Sequence, residues 1–302
     1  MANLTSQRTM AAHYEPNWKL TQAHNLKCYN CGYAESPGSG TFDEHQQSLV
    51  FHLIGDTHIG PESTVLDVGC GIGGPSGMIF DRFGPKRLIG VEYLAASAVT
   101  ADERQRGRDQ RPRFVQGDAH HLPMADGSVD VIFNLESALH YPDKDKFLSE
   151  CARVLKPGGT LCLGDITTNL KVLFRAASLM NGMPSQFNSN LYLWSPDEYF
   201  EGFAKYGFDV VWHEEASRNV ARSLTDGRRE LSGLGFWKTR GFRARLVYLR
   251  FLEEHLQNAE LLYDLFRVVK SDGTSKPKDH GHHGHGPGHG HGNGGHGKAG
   301  HH

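Results

Sequence analysis

Residues Val65 to Gly74 read VLDVGCGIGG, and this stretch decides the fold. A short apolar, β-branched run contains one acidic residue, Asp67, and is followed by glycine at four of the next six positions. That order predicts a buried strand, a tight turn and a helix, because glycine adopts backbone conformations that other residues avoid. The N–H groups and the partial positive charge at the start of the helix make the turn a predicted site for a nucleotide-like ligand.

The glycine spacing by itself fits two classes of enzyme. Gly69, Gly71 and Gly74 satisfy the G-x-G-x-x-G of dinucleotide-binding folds. Asp67 lies two residues before the first glycine. With this acidic residue included, the stretch resembles the first motif of the class I S-adenosylmethionine-dependent methyltransferases. The resemblance implies an α/β, Rossmann-like fold with a seven-stranded, mostly parallel sheet and an antiparallel last strand. It further implies helices on both faces of the sheet and a helical cap over the substrate pocket. The cofactor that it implies is S-adenosyl-L-methionine, held by Asp67, Gly69, Gly71 and Gly73.

A second acidic residue ends the next apolar run, RLIGVE, at Glu92. A carboxylate about 20 residues beyond the glycine turn is placed to accept hydrogen bonds from the hydroxyls of a ribose, in adenosyl and dinucleotide cofactors alike. Glu92 therefore predicts an adenosine-type ligand without choosing between the two classes.

Motifs farther along the chain favour the methyltransferases. The resemblance implies that Asp118, with Ala119 beside it, receives the adenine amino group after the third strand. A helix, the turn Lys156-Pro157-Gly158-Gly159 and a buried strand follow in the family's order. The resemblance extends from about Tyr14 to Lys270 and is nearest to sugar and macrolide O-methyltransferases and to tocopherol and sterol C-methyltransferases.

The catalytic candidates lie in NLESALHYPD, residues 134–143. The resemblance implies that Asn134 and Glu136 contact the methionine end of the cofactor. Glu136 and His140 are four residues apart, so they share a face if a helical turn forms there. Histidine suits proton removal near neutral pH, which makes His140 the first candidate for a general base. A structural histidine is the alternative, and Glu136 is expected to order the cofactor or the acceptor.

The chain divides into an N-terminal lid or arm (1–40), a methyltransferase domain (41–272) and a disordered tail (273–302) rich in His and Gly. Cap segments are expected at about 166–194 and 217–258. Within the arm, Cys28 and Cys31 form a C-x-x-C, but a structural zinc needs four ligands, and two ordinary thiols fit the spacing better. The tail carries nine of the nineteen histidines. Its composition suits nickel or zinc, and it is native or, alternatively, an expression tag.

The composition of the chain limits the classes of partner and the compartment that we expect. A net charge of −2 and a pI of about 6.8 give no electrostatic basis for nucleic acid binding. No apolar run reaches the length of a membrane span, and five scattered cysteines suit a reducing compartment, so we expect a cytoplasmic protein without membrane insertion. A homodimer is left open.

The sequence therefore predicts methyl transfer to a small, partly apolar metabolite, of natural-product or lipid type. O-methylation is the first expectation, and C- or N-methylation within the same fold is the alternative. Two hypotheses come from other classes: an NAD(P)-dependent oxidoreductase that shares the glycine turn, and a metal-handling protein that acts through its His-rich tail.

Overall fold

A computed structural model describes residue 11 and residues 27–170, 191–233 and 240–272, the last range without the side chains of 240–245. The strands are β1 (Thr64–Val68), β2 (Arg87–Glu92), β3 (Arg113–Gln116), β4 (Val129–Leu135), β5 (Leu155–Thr167), β6 (Phe208–Glu215) and β7 (Leu262–Lys270). The helices are α1 (Phe42–Ile54), α2 (Gly74–Phe83), α3 (Ala95–Arg104), α4 (Lys144–Val154), α5 (Pro196–Lys205), α6 (Ser217–Gly233) and α7 (Arg240–Gln257). A single 3-10 turn, Ala138–His140, lies between β4 and α4.

The strands form one sheet in the order β3-β2-β1-β4-β5-β7-β6. Strands β1 to β5 pair in parallel, and β7 is antiparallel to both β5 and β6. The predicted mostly parallel sheet with an antiparallel last strand is therefore confirmed. Because β2 and β4 flank β1 on opposite sides, the strand order reverses at β1, where open α/β sheets form a crevice for ligands.

Two apolar cores lie on the two faces of the sheet. Val65 of β1 packs in the core that is completed by α1, α6 and α7, whereas Leu66 packs in the core completed by α4 and α5. This alternation follows from the period of two in a strand. All five β1 residues are buried, as expected of a central strand covered on both faces. The predicted helices on both faces are confirmed.

Local capping signals fix several helix ends where the sequence predicted them. Ser195 caps α5, and the side chain of Glu198 reaches back to the Ser195 backbone, which completes a capping box with Pro196 at the first position. Gly84 ends α2 in the left-handed conformation that favours glycine. Helix ends with such local capping residues can therefore be predicted from the sequence before any tertiary contact is known.

Two expected segments take a different form. The Lys156–Gly159 turn lies inside β5 rather than before it, because Val129 pairs with Leu155 and Val131 with Thr160, so four residues bulge opposite one. The expected cap segment at 217–258 is an insertion between β6 and β7 that forms the two helices α6 and α7. Most of the other expected cap segment, 171–190, lies outside the described residues. Within the described part, no helix has both the length and the apolarity needed to cross a bilayer.

Candidate functional site

A cavity of about 250 Å³ opens at the edge of the sheet where β1, β2 and β4 end. Its wall comes from five segments: residues 27–30, the glycine turn after β1, the end of β2, residues 117–120 after β3, and the segment 135–142 after β4. The carboxyl ends of parallel strands form the usual ligand crevice of such folds. The predicted ligand turn and the predicted catalytic segment therefore face one common cavity.

The glycine turn borders open space on one side and is covered on the other. Gly71 has a φ of +56°, and a Cβ added there would meet nothing within 4 Å, so bare backbone faces the cavity. At Gly74 a Cβ would lie 2.0 Å from the Lys27 carbonyl oxygen. Residues 27–38, which we call the N-terminal strip, thus begin directly over the start of α2.

Glu92 stands at the end of β2 and lines the cavity while being only 7% exposed. Its Oε2 accepts a hydrogen bond from the Gly71 N–H at 2.9 Å, and its Oε1 accepts one from the Leu94 N–H at 3.0 Å. Burial raises the pKa of Glu92, and these N–H groups oppose the rise. Because a carboxylate offers about four acceptor positions, Glu92 retains capacity for hydroxyl donors from a ligand.

Three residues predicted to contact the cofactor lie behind the cavity wall instead of in it. Asp67 is 2% exposed, and its Oδ2 accepts a 2.5 Å hydrogen bond from Ser76 Oγ on α2. Burial raises the pKa of Asp67 to about 7. Asn134 is fully buried and donates from Nδ2 to the Val68 carbonyl oxygen at 2.8 Å. Gly73, the N-cap of α2, also lies outside the lining. Asp67 and Asn134 thus brace the turn from within.

Asp118 lines the cavity together with Ala119, as the sequence predicts, but its carboxylate already has a partner. Its Oδ1 accepts from the backbone N–H of His120 at 2.9 Å and lies 2.6 Å from the Nδ1 of the same histidine. These contacts hold the pKa of Asp118 below its usual range. His120 also lines the cavity and was not singled out in the sequence, where it is the first of two adjacent histidines.

Glu136 follows β4 with a φ of +50°, a conformation that non-glycine residues seldom adopt and that clusters at functional sites. Its Oε1 accepts two hydrogen bonds of 2.7 Å, from the Cys31 N–H in the N-terminal strip and from the Tyr263 hydroxyl on β7. Burial raises the pKa of Glu136. Tyr263 was missed in the sequence, since nothing local to it signals a partner so far away.

His140 ends the 3-10 turn and lines the same cavity as Glu136. Its backbone N–H donates to the Ser137 carbonyl oxygen at 3.0 Å. The expected shared helical face does not form, because Glu136 precedes the turn and its left-handed φ directs it differently from a helical residue. Glu136 and His140 line one cavity, although they do not share a helical face.

Helix α6 holds the N-terminal strip in place. From α6, Ser223 Oγ donates to the Cys31 carbonyl oxygen at 2.8 Å, and Asn219 exchanges hydrogen bonds of 3.1 and 3.2 Å with the backbone of Ala34. Among the residues whose positions are described, none from 217–258 lines the cavity. The helical cap that the sequence predicts for this segment therefore stays a prediction, and the contacts of its described residues anchor the strip.

All five cysteines are buried and unpaired by disulfides. Burial raises the pKa of Cys28 to about 12, and its Sγ lies 3.3 Å from the Met78 Sδ. Across the described ranges, no group of three or more His, Cys, Asp and Glu side chains could hold a metal ion. The C-x-x-C of the strip is accordingly packed among apolar neighbours.

Residues 66–163 match the family described as a methyltransferase domain. Methyltransferase GfsG of Streptomyces halstedii is 33% identical over 162 residues, which are 53% of this chain and 58% of that protein. The erythromycin 3''-O-methyltransferase of Saccharopolyspora erythraea is 35% identical over 45% of each chain. The sterol 24-C-methyltransferase ERG6B of Gibberella zeae is 40% identical over 38% of this chain and 30% of its own. The chain thus spans about half the length of the first curated relatives it matches.

Solved structures share the fold over most of the chain. A putative sarcosine dimethylglycine methyltransferase from Galdieria sulphuraria has a TM-score of 0.73 at 19% identity, with 85% of this chain and 99% of that chain covered. The geranyl diphosphate C-methyltransferase of Streptomyces coelicolor A3(2), solved with S-adenosyl-L-homocysteine, has a TM-score of 0.67 at 21% identity, with 88% and 97% covered. The Rossmann-like architecture of this chain is therefore that of known methyltransferases.

Proposed function

We propose that this chain, whose residues 66–163 match the methyltransferase domain family, transfers a methyl group from S-adenosyl-L-methionine to an oxygen of a small, partly apolar metabolite. One observation carries the proposal. Gly71 and Glu92 line the same cavity as Glu136 and His140, so a predicted ligand-binding turn and a candidate proton acceptor share one cavity.

The residues present suit the adenosyl part of this cofactor. The open space beside Gly71 admits close approach to the backbone, and the buried carboxylate of Glu92 is an acceptor for ribose hydroxyls. Asp118 and Ala119, at the end of the neighbouring strand, are proposed to hold the adenine. Apolar side chains such as Ile72 and Leu94 line the same cavity and would flank a ring.

The chain's own residues would then orient the reactants and move a proton. When bound, S-adenosylmethionine supplies an electrophilic methyl group on a sulfonium. His140 is proposed to accept the proton of the acceptor hydroxyl, with the N-terminal strip over the glycine turn excluding water from the cavity. Glu136, with Oε1 already bound to Cys31 and Tyr263, is proposed to order the acceptor and the strip.

The class of acceptor is inferred from the lining and from what relatives are named for. Leu135, Tyr141 and Cys28 contribute apolar wall next to the proposed proton acceptor. One relative is named for methylation of erythromycin and another for methylation of a sterol. A natural-product or lipid-like acceptor fits both. Oxygen is preferred because a hydroxyl has a proton for His140 to remove, and carbon methylation is the alternative that the sterol relative suggests.

Calorimetry with two ligands and a mass screen test this function. The chain should bind S-adenosyl-L-homocysteine and not NAD, since an oxidoreductase would show the reverse preference. Incubation with cofactor and metabolite extracts should then yield a product heavier by one methylene. No binding of S-adenosylhomocysteine by the intact chain would contradict the proposal.

Three expectations on context stay proposals. The five buried free cysteines support a reducing compartment such as the cytoplasm. A homodimer is proposed and would be seen by light scattering. Nickel or zinc binding is proposed for residues 273–302, which lie outside the described residues. Deleting them should abolish metal binding and leave methyl transfer unchanged, whereas the metal-handling hypothesis requires the tail for function.

A further inference from the structure

A buried ion pair lies beneath the turn that carries His140. Lys144, the first residue of α4, is 2% exposed, and Asp165 of β5 is fully buried. The Lys144 Nζ lies 3.6 Å from the Asp165 Oδ2. Removing two charges from water is costly, and a buried pair of this kind is weak grounds for a gain in stability. Its position next to the catalytic segment indicates a different use.

The two charged side chains form hydrogen bonds with the two ends of a single peptide group. The carbonyl of Ala138 and the N–H of Leu139 belong to the peptide bond that joins these residues. Lys144 Nζ donates to the Ala138 carbonyl oxygen, and the Leu139 N–H donates to Asp165 Oδ1 at 2.9 Å. The cation thus meets the negative end of the peptide dipole and the carboxylate meets its positive end. A turned-over peptide would place the carbonyl against the carboxylate and the N–H against the ammonium.

Neighbouring groups keep the pair itself from moving. The Tyr199 hydroxyl on α5 donates to Asp165 Oδ2 at 2.6 Å. The carbonyl of Leu139 accepts from the Tyr192 N–H at 2.7 Å, so both sides of Leu139 are held. His140 is the next residue along the chain. The backbone that leads into His140 is consequently held on both sides of Leu139.

We infer that Lys144 and Asp165 are positioning residues: through the Ala138–Leu139 peptide they fix the backbone from which His140 reaches into the cavity. The effect on catalysis rests on the proposed function, in which His140 removes a proton from the acceptor. The effect on placement does not, because it concerns only the backbone of residues 138–140.

The test compares three variants of the full chain, with S-adenosyl-L-homocysteine as the probe. Lys144→Met and Asp165→Leu each break the pair at similar side-chain size, and neither new side chain can hydrogen-bond to the Ala138–Leu139 peptide. Lys156→Met is the matched control, because Lys156 forms a 2.7 Å pair with Asp130 at the opposite edge of the sheet. The readouts are amide hydrogen exchange at Leu139, the NMR resonances of the His140 ring, and the dissociation constant of the probe by calorimetry.

In the two pair variants, we expect exchange at Leu139 to rise at least tenfold and the His140 resonances to shift or broaden. The probe should bind within about threefold of the wild type, since Gly71 and Glu92 are untouched. In Lys156→Met none of these should change. A general loss of structure would instead raise exchange throughout β1 and β4.

Unchanged Leu139 exchange and His140 resonances in both pair variants would overturn the inference. Should neither variant fold, the wild type decides: Leu139 must exchange as slowly as the β5 amides, and exchange as fast as that of Gly158 in the exposed bulge would overturn it. Failure of the wild type to bind the probe would contradict the proposed function alone, because the Leu139 readout is independent of it.

Discussion

The hydroxyl of Tyr263 on β7 donates a 2.7 Å hydrogen bond to the carboxylate of Glu136, which lies 127 residues earlier at the end of β4. The same oxygen of Glu136 accepts from the N–H of Cys31 in the N-terminal strip. Three remote parts of the chain therefore meet at one buried oxygen. Because Glu136 lines the cavity and also binds the strip, the closure of the strip and the order of the catalytic segment depend on one another.

Loss of the Tyr263 hydroxyl should destabilise the protein. Tyr263→Phe leaves a buried carboxylate short of a donor, which should lower the free energy of unfolding by about 1.5 to 3 kcal/mol. Tyr206→Phe is the control, because its hydroxyl binds the half-exposed Asp145 at 3.1 Å, and it should cost less than about 1 kcal/mol. Urea unfolding of both variants measures the difference. Equal losses would show that the Glu136 contact contributes nothing special.

A side chain at position 71 should block the ligand. Gly71 and Gly127 both have a φ of +56° and open space where a Cβ would stand, but only Gly71 lines the cavity. Leucine at either position should cost about the same in stability, roughly 1 to 2 kcal/mol. Gly71→Leu should weaken S-adenosylhomocysteine binding by about 100-fold, or about 2.8 kcal/mol, and Gly127→Leu should leave it unchanged. Calorimetry decides, and equal affinity in the two variants would remove the turn from the site.

The buried carboxyl of Asp67 should make stability fall as the pH rises. Its pKa is about 7 in the folded chain against an ordinary 3.8, so the folded state binds the extra proton between these values. Stability from this group is present below about pH 4 and is lost as the pH rises towards 7. Asp67→Asn does not titrate and can still accept from Ser76.

The unfolding free energy of Asp67→Asn minus that of the wild type should therefore grow between pH 4 and 7, by roughly 4 kcal/mol at most. Denaturant titrations at several pH values measure it. Asp109→Asn, at an exposed position, supplies the flat baseline. A difference that stays constant for Asp67→Asn would contradict a neutral carboxyl beneath the turn.

Removal of the His140 imidazole should slow methyl transfer to the acceptor found by the mass screen. His140→Ala should lower turnover by about 100-fold or more with cofactor affinity nearly intact. His121→Ala, at an exposed position outside the cavity wall, should behave as the wild type. Glu136→Gln should weaken binding as well as rate.

The pH profile of turnover separates the two candidate bases. A histidine base predicts a rate limb near about pH 6.5, and that limb should vanish in His140→Ala. Burial raises the pKa of Glu136, so a carboxylate base would also give a limb above the ordinary range of glutamate. A limb that survives in His140→Ala and disappears in Glu136→Gln would assign proton removal to Glu136.

The thiols should be unreactive in the folded protein. All five cysteines are buried, and burial raises the pKa of Cys28 to about 12, so little thiolate exists at pH 8. A chromogenic disulfide reagent should titrate none rapidly in buffer and all five in denaturant. Rapid reaction of Cys28 or Cys31 in the folded state would indicate that the strip opens readily.

Local signals in the sequence predicted much of the fold. The glycines after β1, the Ser195 capping box and the acidic end of β2 each act through neighbours within a few residues, so their residue types suffice to place them. The mostly parallel, seven-stranded sheet with an antiparallel last strand follows from the family resemblance that these motifs carry. The structure confirms the sheet and its antiparallel strand.

The site was less legible because its contacts join distant elements. Ser223 binds the strip from 192 residues farther along the chain, and Tyr263 binds Glu136 from another strand. No spacing in the sequence signals either contact. Glu136 adopts a positive φ without being glycine, which a residue type does not predict. Asp67 belongs to the motif, yet the strand alternation turns it to the face of Val65, where α2 supplies Ser76.

The place of β7 in the sheet has a consequence for how the protein is made. Strand β7 is the last to be synthesised, yet it lies between β5 and β6. Until residue 270 has left the ribosome, β5 and β6 each present an unpaired edge, and β6 has no partner at all. Unpaired strand edges are templates for association with other chains. The nascent protein thus passes through a stage in which its first five strands can pair while both edges of β6 are open.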